Sequence, residues 1–225
     1  MKKHFLENLL GGKLEDTLTA ISADTAVVET LLSSLPTDTL ENYLTPQWVV
    51  LAAGKGTRID PTGRLSKTLD ITFGEQNMLQ RSRQHLPGTR PDIIVINPEM
   101  AARVEKSGSP EQLLGPNAVY AVQEDMNGTG GALLAALPAL RESDAEWIGV
   151  SFGDEPFLER DIFAQTLLSH FVSGADVTLW GKIPETVVDK GGLFFDTAGK
   201  FIGTKEWYDM TAAEKQEMWD RWHSG

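Results

Sequence analysis

Apolar residues follow two different rhythms along this chain, and the change falls near residue 46. Phe5, Leu6, Leu9 and Leu10 recur at helical spacing, and beyond Gly11-Gly12 the rhythm continues through Leu14, Leu18 and Ile21. A further helix is predicted from about Asp24 to Ser34, burying Val27, Val28, Leu31 and Leu32, with Pro36 as its stop. Asp38 and Glu41 form a capping start for Leu40 to Leu44. Residues 1–45 therefore read as a helical N-terminal extension, joined at Thr45-Pro46.

From Gln47 the pattern changes to short apolar runs alternating with amphipathic stretches. Trp48–Ala52, Asp92–Ile96, Ala118–Val122 and Trp147–Phe152 are rich in β-branched residues and lack polar alternation, as strands covered on both faces do. Helices are predicted near Asn77–Leu86, Thr129–Leu140 and Leu158–Val172. This alternation implies an α/β fold, a Rossmann-like and mostly parallel sheet flanked by helices. Farther on, Leu193–Phe195 and Lys200–Thr204 flank Asp196–Gly199, which is a hairpin signal. Thr211 and Glu214 form a capping box ahead of an apolar stripe, Met218, Trp219 and Trp222, which predicts a helix packed on a core. Parallel sheets of this kind bind ligands beyond the carboxyl ends of their strands. Two polar, glycine-bearing loops lie there, Ala53–Lys67 and Gly153–Pro156.

Composition narrows the classes. The 225 residues carry 32 Asp plus Glu against 20 Lys plus Arg, for a net charge of −12, and no cysteine. That length suits one globular domain with appendages, or two small ones. Without cysteine there is no disulfide framework, zinc knuckle or thiol nucleophile, which fits a reducing, cytoplasmic setting. The acidic balance argues against nucleic acid as a partner. No window approaches the roughly 18 consecutive apolar residues of a membrane span, and no apolar stretch of signal-peptide length follows Met1–Lys3. The four histidines, His4, His85, His170 and His223, are scattered without metal-ligand spacing.

Against that acidic background the first glycine loop is basic. Between residues 55 and 67, Lys55, Arg58, Arg64 and Lys67 face one acid, Asp60, a local charge of +3. Gly54 and Gly56 remove side chains, so backbone N–H groups can approach an anion closely. Arginine supplies a planar fork for phosphate oxygens and lysine a mobile point charge. Two rival phosphate motifs are excluded. Ile59 stands where a dinucleotide fingerprint needs its third glycine, and Gly199-Lys200 is followed by Phe201 rather than Ser or Thr.

Leu51-Ala-Ala-Gly-Lys-Gly-Thr-Arg58, with Lys67 downstream, resembles the L-A-A-G-x-G-T-R…K signature of sugar-1-phosphate nucleotidylyltransferases. The likeness is to the pyrophosphorylase domain of bacterial N-acetylglucosamine-1-phosphate uridylyltransferases in particular. Cytidylyltransferases and molybdenum-cofactor nucleotidylyltransferases share shorter versions of this first motif. Three later segments match in the same order. Gln123 with Gly128-Thr129-Gly130 resembles Q-x-x-x-x-G-T-G, and Phe152-Gly-Asp-Glu-Pro156 resembles Y-G-D-x-P. Gly191-Gly192, the Gly199–Gly203 turn and Glu206 resemble the family's sugar-side hairpin.

The resemblance spans roughly Trp48 to Thr211 and implies a catalytic domain over residues 46–225 of the nucleotide-diphospho-sugar transferase type. It implies that a nucleoside triphosphate, UTP being favoured, and a sugar 1-phosphate, such as N-acetylglucosamine 1-phosphate, are joined with release of pyrophosphate. Implied catalytic residues are Arg58 on the β/γ-phosphates and Lys67 between the α-phosphate and the sugar phosphate. Implied nucleotide-binding residues are Leu51, Ala52, Ala53, Gly54, Lys55, Gly56, Gln123, Gly128 and Thr129, with Gln123 and Gly54 seating the base. Gly192 and Glu206 line the implied sugar pocket, and Asp154 holds Mg²⁺. A glutamine amide offers both a donor and an acceptor to a pyrimidine edge, and magnesium needs only one or two carboxylates when phosphates complete its shell.

Departures from the family pattern are also visible. Ser66 replaces a proline before the lysine, two extra residues separate Arg58 from Lys67, Asn77 replaces another proline, and Leu193 replaces an arginine. The family's second magnesium ligand, an asparagine, lies beyond the region that matches, so the sequence reads as a C-terminally truncated fragment or as a site that has lost a part. Two other readings follow: a nucleotidylyltransferase for a small phosphorylated alcohol or amine, and a catalytically silent nucleotide-sugar-binding module. The N-terminal helices are the candidate element for homo-oligomer assembly.

Overall fold

The structure is a computed structural model, and it describes residues 7, 16, 17, 19, 25–34, 44–56, 59–62, 65–181, 191–198 and 200–223. Most of the expected N-terminal helical extension lies outside these residues. Helix α1, Thr25–Ser34, is described and buries Val28. The chain divides into two compact units, residues 1–178 and 179–225.

The first unit is built on β1 (Gln47–Leu51), a short helix α2 (Lys67–Asp70), and a small antiparallel pair, β2 (Thr72–Phe73) with β3 (Gln76–Asn77). Helix α3 (Met78–Arg83), β4 (Asp92–Ile96), α4 (Pro98–Ser107) and α5 (Pro110–Leu114) follow. Then come β5 (Ala118–Val122), α6 (Gly128–Arg141), β6 (Ile148–Phe152) and α7 (Arg160–Ser173). Among the described residues the main sheet has the order β5-β4-β1-β6 with every pairing parallel. The expected α/β class and the four expected strands are what the chain forms.

Side chains alternate across this sheet, and each face has its own core. Val50, Ala52, Ile94 and Ile96 pack with Leu69, Leu79, Met100, Val104 and Leu114 on one side. Val49, Ile93 and Val95 pack with Ala132 and Ala136 of α6 on the other, where two alanines let the helix come close. Trp48 lies edge-on to Phe163 at 5.4 Å and donates from Nε1 to the Pro87 carbonyl at 2.6 Å.

Helices α4 and α5 were not expected from the periodicity, although both begin with a proline in the first turn. Asn97 caps α4 by accepting from Met100 N at 2.9 Å, and Gly108 ends it in the left-handed region. The expectation that all four strands are covered on both faces fails for the two edge strands of the described sheet: Val119 of β5 is exposed, and so is one face of β6. Ile148, Val150 and Phe152 lie on that face. An apolar run at an edge reads the same in sequence as one at the centre.

Arg83 ties two loops to the sheet. Its guanidinium donates to Asp92 Oδ2 at 2.7 Å and to the Pro116 and Asn117 carbonyls at 3.0 Å, and both Arg83 and Asp92 are buried. Burial pushes the Asp92 carboxyl up from its ordinary range, and the Arg83 charge opposes that push.

In the second unit, β7 (Gly192–Phe195) and β8 (Phe201–Lys205) form the expected antiparallel hairpin. Asp196 Oδ1 organises its turn by accepting from Ala198 N and Lys200 N, each at 2.9 Å. A 3₁₀ turn over Trp207–Asp209 leads to α8 (Ala212–His223). Its capping box is present: Glu214 N donates to Thr211 Oγ1 and Thr211 N to Glu214 Oε2. A hydrogen bond from Lys205 holds the Glu214 carboxyl down at about 2. Among the described residues no helix is long and apolar enough to cross a membrane.

Candidate nucleotide and metal site

The carboxyl ends of β1, β5 and β6 converge on one edge of the first unit, and the loops that leave them carry the chemistry. Parallel pairing sets Leu51 beside Phe152, so the strands end level and the Gly153–Pro156 loop starts beside Ala52. Gly153 N donates to the Leu51 carbonyl at 2.9 Å, and the Gly153 carbonyl accepts from Ser82 Oγ at 3.1 Å. A Cβ on Gly153 would lie 2.9 Å from Ala52 Cβ and 3.0 Å from Leu79 Cδ1. The loop is thus pressed against the core, and Asp154 projects from it with its side chain 42% exposed.

Lys67 meets Asp154 there. Its Nζ lies 2.7 Å from Asp154 Oδ2, bringing together two residues separated by 87 positions. Lys67 is the first residue of α2, and Asp70 on the same helix accepts from Ser66 N at 2.7 Å. Arg103 grips Asp70 through both nitrogens at 2.9 and 2.6 Å and keeps its carboxyl below the usual range. Gly56 sits in the left-handed region at φ 64, and a Cβ there would be 3.0 Å from Lys67 Cβ. A glycine is required at this turn both by its φ and by the approach of Lys67.

The remainder of the glycine loop is arranged by Asp60 and Asn97. Asp60 accepts from Thr62 N and Leu65 N at 2.9 Å, and Asn97 Nδ2 donates to the Ala53 carbonyl at 3.0 Å. Leu51 is half-buried, Ala52 and Ala53 are buried, and Gly54 and Lys55 are exposed. A Cβ on Gly54 would meet no protein atom within 4 Å. Packing therefore does not explain that glycine. Arg58, expected on the phosphates, lies outside the described residues, as does Arg64.

Gln123, just past β5, is buried. Its Nε2 donates to Asn127 Oδ1 at 3.0 Å and to the Gly128 carbonyl at 3.1 Å. An amide nitrogen has two hydrogens, so both donors are taken and only the carbonyl oxygen has capacity left. The expectation of a glutamine offering donor and acceptor together is corrected accordingly. Gly128 opens α6 at φ 89, a conformation that favours glycine, and Thr129 follows it exposed on the first turn.

Gly192 and Glu206 belong to the second unit. Gly192 is buried against Met210 and Met218, where a Cβ would collide with both, so packing alone accounts for a glycine there. Glu206 is exposed, and its carboxylate lies beside Gly191.

Among the described residues no group of three acids, histidines or cysteines could hold a metal ion. The expected magnesium ligand, Asp154, is an exposed carboxylate, with Glu155 next in sequence. That fits magnesium shared with substrate phosphates and does not fit an all-protein cage. Ser82, Asn97, Asp70, Arg103 and Asn127 were not singled out from the sequence. Asn127 carried a signal, standing directly ahead of Gly128-Thr129-Gly130.

Level strand ends, an exposed glycine loop and a lysine–aspartate pair thus meet at one edge of the first unit. Residues 48–186 match the MobA-like NTP transferase domain, and the chain belongs to that family. It is 31% identical over 172 residues to the bifunctional protein GlmU of Mycolicibacterium gilvum, covering 74% of this chain and 33% of that protein. It is 31% identical over 171 residues to the bifunctional protein GlmU of Desulfotalea psychrophila, covering 75% and 47%. It is 32% identical over 168 residues to that of Carboxydothermus hydrogenoformans, covering 75% and 35%. The chain thus spans between a third and about half of the length of these relatives. The resemblance to sugar-1-phosphate nucleotidylyltransferases holds.

Proposed function

We propose that the chain joins a nucleoside triphosphate to a sugar 1-phosphate, with UTP as the favoured nucleotide and N-acetylglucosamine 1-phosphate as a candidate acceptor. The observation that carries this reading is the ion pair between Lys67, at the start of α2, and Asp154, just past β6. A sugar phosphate oxygen attacks the α-phosphorus in line with the departing group. A new P–O bond forms, the bond bridging the α- and β-phosphates breaks, and pyrophosphate leaves with its electron pair. No covalent enzyme intermediate is needed, so the protein contributes position and charge.

Lys67 neutralises the crowded oxygens where the two phosphates meet. The uncapped start of α6 and the open backbone around Gly54 offer N–H groups to the nucleotide. Gln123 faces the base, and Arg58 holds the outer phosphates. Asp154 would hold Mg²⁺, which supplies charge neutralisation of the phosphates when bound. The family resemblance, taken for the second unit by itself, assigns Glu206 and Gly192 to the sugar.

Pyrophosphate release is the test, run with a panel of sugar 1-phosphates beside phosphocholine-type acceptors. Lys67→Met and Asp154→Asn should each reduce turnover by about 10²–10³-fold. The ion pair is largely exposed, so either change should cost under about 1 kcal/mol of stability. Full activity in either variant would overturn the assignment. Nucleotide binding without pyrophosphate release from any acceptor would make the chain a binding module.

A further inference from the structure

Asparagine is a preferred helix N-cap because its side-chain oxygen accepts from a first-turn N–H. Asn127 holds that position at the start of α6 and does not cap. Its Oδ1 is turned onto Gln123 Nε2 at 3.0 Å. Gly131, one turn along, is what permits this, because a Cβ built there would fall inside the Asn127 carboxamide. No left-handed backbone explains a glycine at 131, and a helical glycine costs about 1 kcal/mol relative to alanine. An asparagine that declines to cap and a glycine inside a helix are each locally unfavourable. Both serve the same contact.

The orientation of the Gln123 amide follows from its other partner. The Gly128 carbonyl can only accept, so Nε2 must face it at 3.1 Å, and the second hydrogen goes to Asn127. We propose that Asn127 is a positioning residue: in the space left by Gly131 it consumes the free donor of Gln123, so that the amide offers the nucleobase an acceptor alone. The site then takes a base with a ring N–H at that edge, as uracil has, and disfavours one with a ring acceptor, as cytosine has. This rests on the reading that the nucleotide base lies against Gln123.

Removing the acceptor releases one N–H of Gln123, which can then meet a ring nitrogen. Binding of UTP, CTP and 3-methyl-UTP to the full chain, by calorimetry, tests this. The wild type should bind UTP more tightly than CTP or 3-methyl-UTP. Asn127→Ala should reduce the UTP-to-CTP preference by about tenfold, the worth of one hydrogen bond. Gly131→Ala, which favours the helix, should have the same effect by expelling Asn127, and its own melting curve shows whether it folds. The double variant should be no worse than either single one, because both act through one contact. Asn127→Asp keeps an acceptor oxygen and should retain the preference. An unchanged preference in both single variants overturns the proposal while leaving the nucleotide reading standing. If the wild type binds none of the three, the nucleotide reading falls and this inference falls with it.

Discussion

Gly153→Ala places one methyl group where the protein has no room for it. Its Cβ would lie 2.9 Å from Ala52 Cβ and 3.0 Å from Leu79 Cδ1, and all three positions are buried. Overpacking of this kind costs about 1–3 kcal/mol. The strain can be relieved only by moving the loop outward, and that stretches the bonds from Gly153 N to the Leu51 carbonyl and from Ser82 Oγ to the Gly153 carbonyl. Each is worth roughly 0.5–1.5 kcal/mol. Together these give a loss of about 2–6 kcal/mol, or a Tm lowered by roughly 4–24 °C for a unit of this size. The movement also carries Asp154 away from Lys67, so turnover should fall further than stability does. Gly54→Ala is the comparison, since its Cβ meets no protein atom. It should melt as the wild type does while weakening nucleotide binding. Denaturant unfolding and nucleotide calorimetry on both variants separate the two glycines. A Gly153→Ala protein within about 0.5 kcal/mol of wild type would refute the packing argument.

Three further outcomes follow from other parts of the fold. Arg83→Met leaves Asp92 buried without its partner and should cost about 3–5 kcal/mol in urea unfolding; a smaller loss would show that water reaches the carboxylate. Gly56→Ala forces a left-handed backbone on an alanine pressed against Lys67 and should cost about 1–2 kcal/mol with a lower kcat, whereas an unchanged kcat would uncouple that turn from the lysine. Asp70 is held below the ordinary carboxylate range by Arg103, so its stabilising effect is complete above the model-peptide value of 3.8 and is lost as pH falls below it. Asp70→Asn should therefore flatten the acid limb of the melting profile as pH falls below about 4, and an unaltered limb would count against the Arg103 clamp.

The strands and the glycine loop were legible because buried parallel strands are written as unbroken apolar runs and tight anion loops as glycines. Trp48–Ala52 and Asp92–Ile96 fall within a residue of the observed strands. Helix α4 was legible in principle through Asn97-Pro98 and Gly108, but its first turn carries Pro98 and Glu99 ahead of the apolar spacing. The exposed face of β6 was not legible, since neighbours in space decide it. The Gln123–Asn127–Gly131 arrangement was hidden for a related reason. Sequence assigns asparagine before a helix to capping, and only the side-chain rotation reveals the other partner. Lys67 and Asp154 were named separately, and the fold alone closes 87 positions to a single ion pair.

The base of Lys67 passes close to Gly56, leaving no room for a Cβ there, and the Asp70–Arg103 clamp fixes its own helix. Among the described residues its ammonium is anchored by one exposed carboxylate, Asp154. Exchange of that anchor for another anion therefore asks for side-chain torsions and no backbone movement. Such rotamer hops take picoseconds to nanoseconds when side chains are exposed. In kinetic terms the lysine is a swivel on a fixed mount, and its change of partner is too fast to set the pace of any turnover measured in seconds.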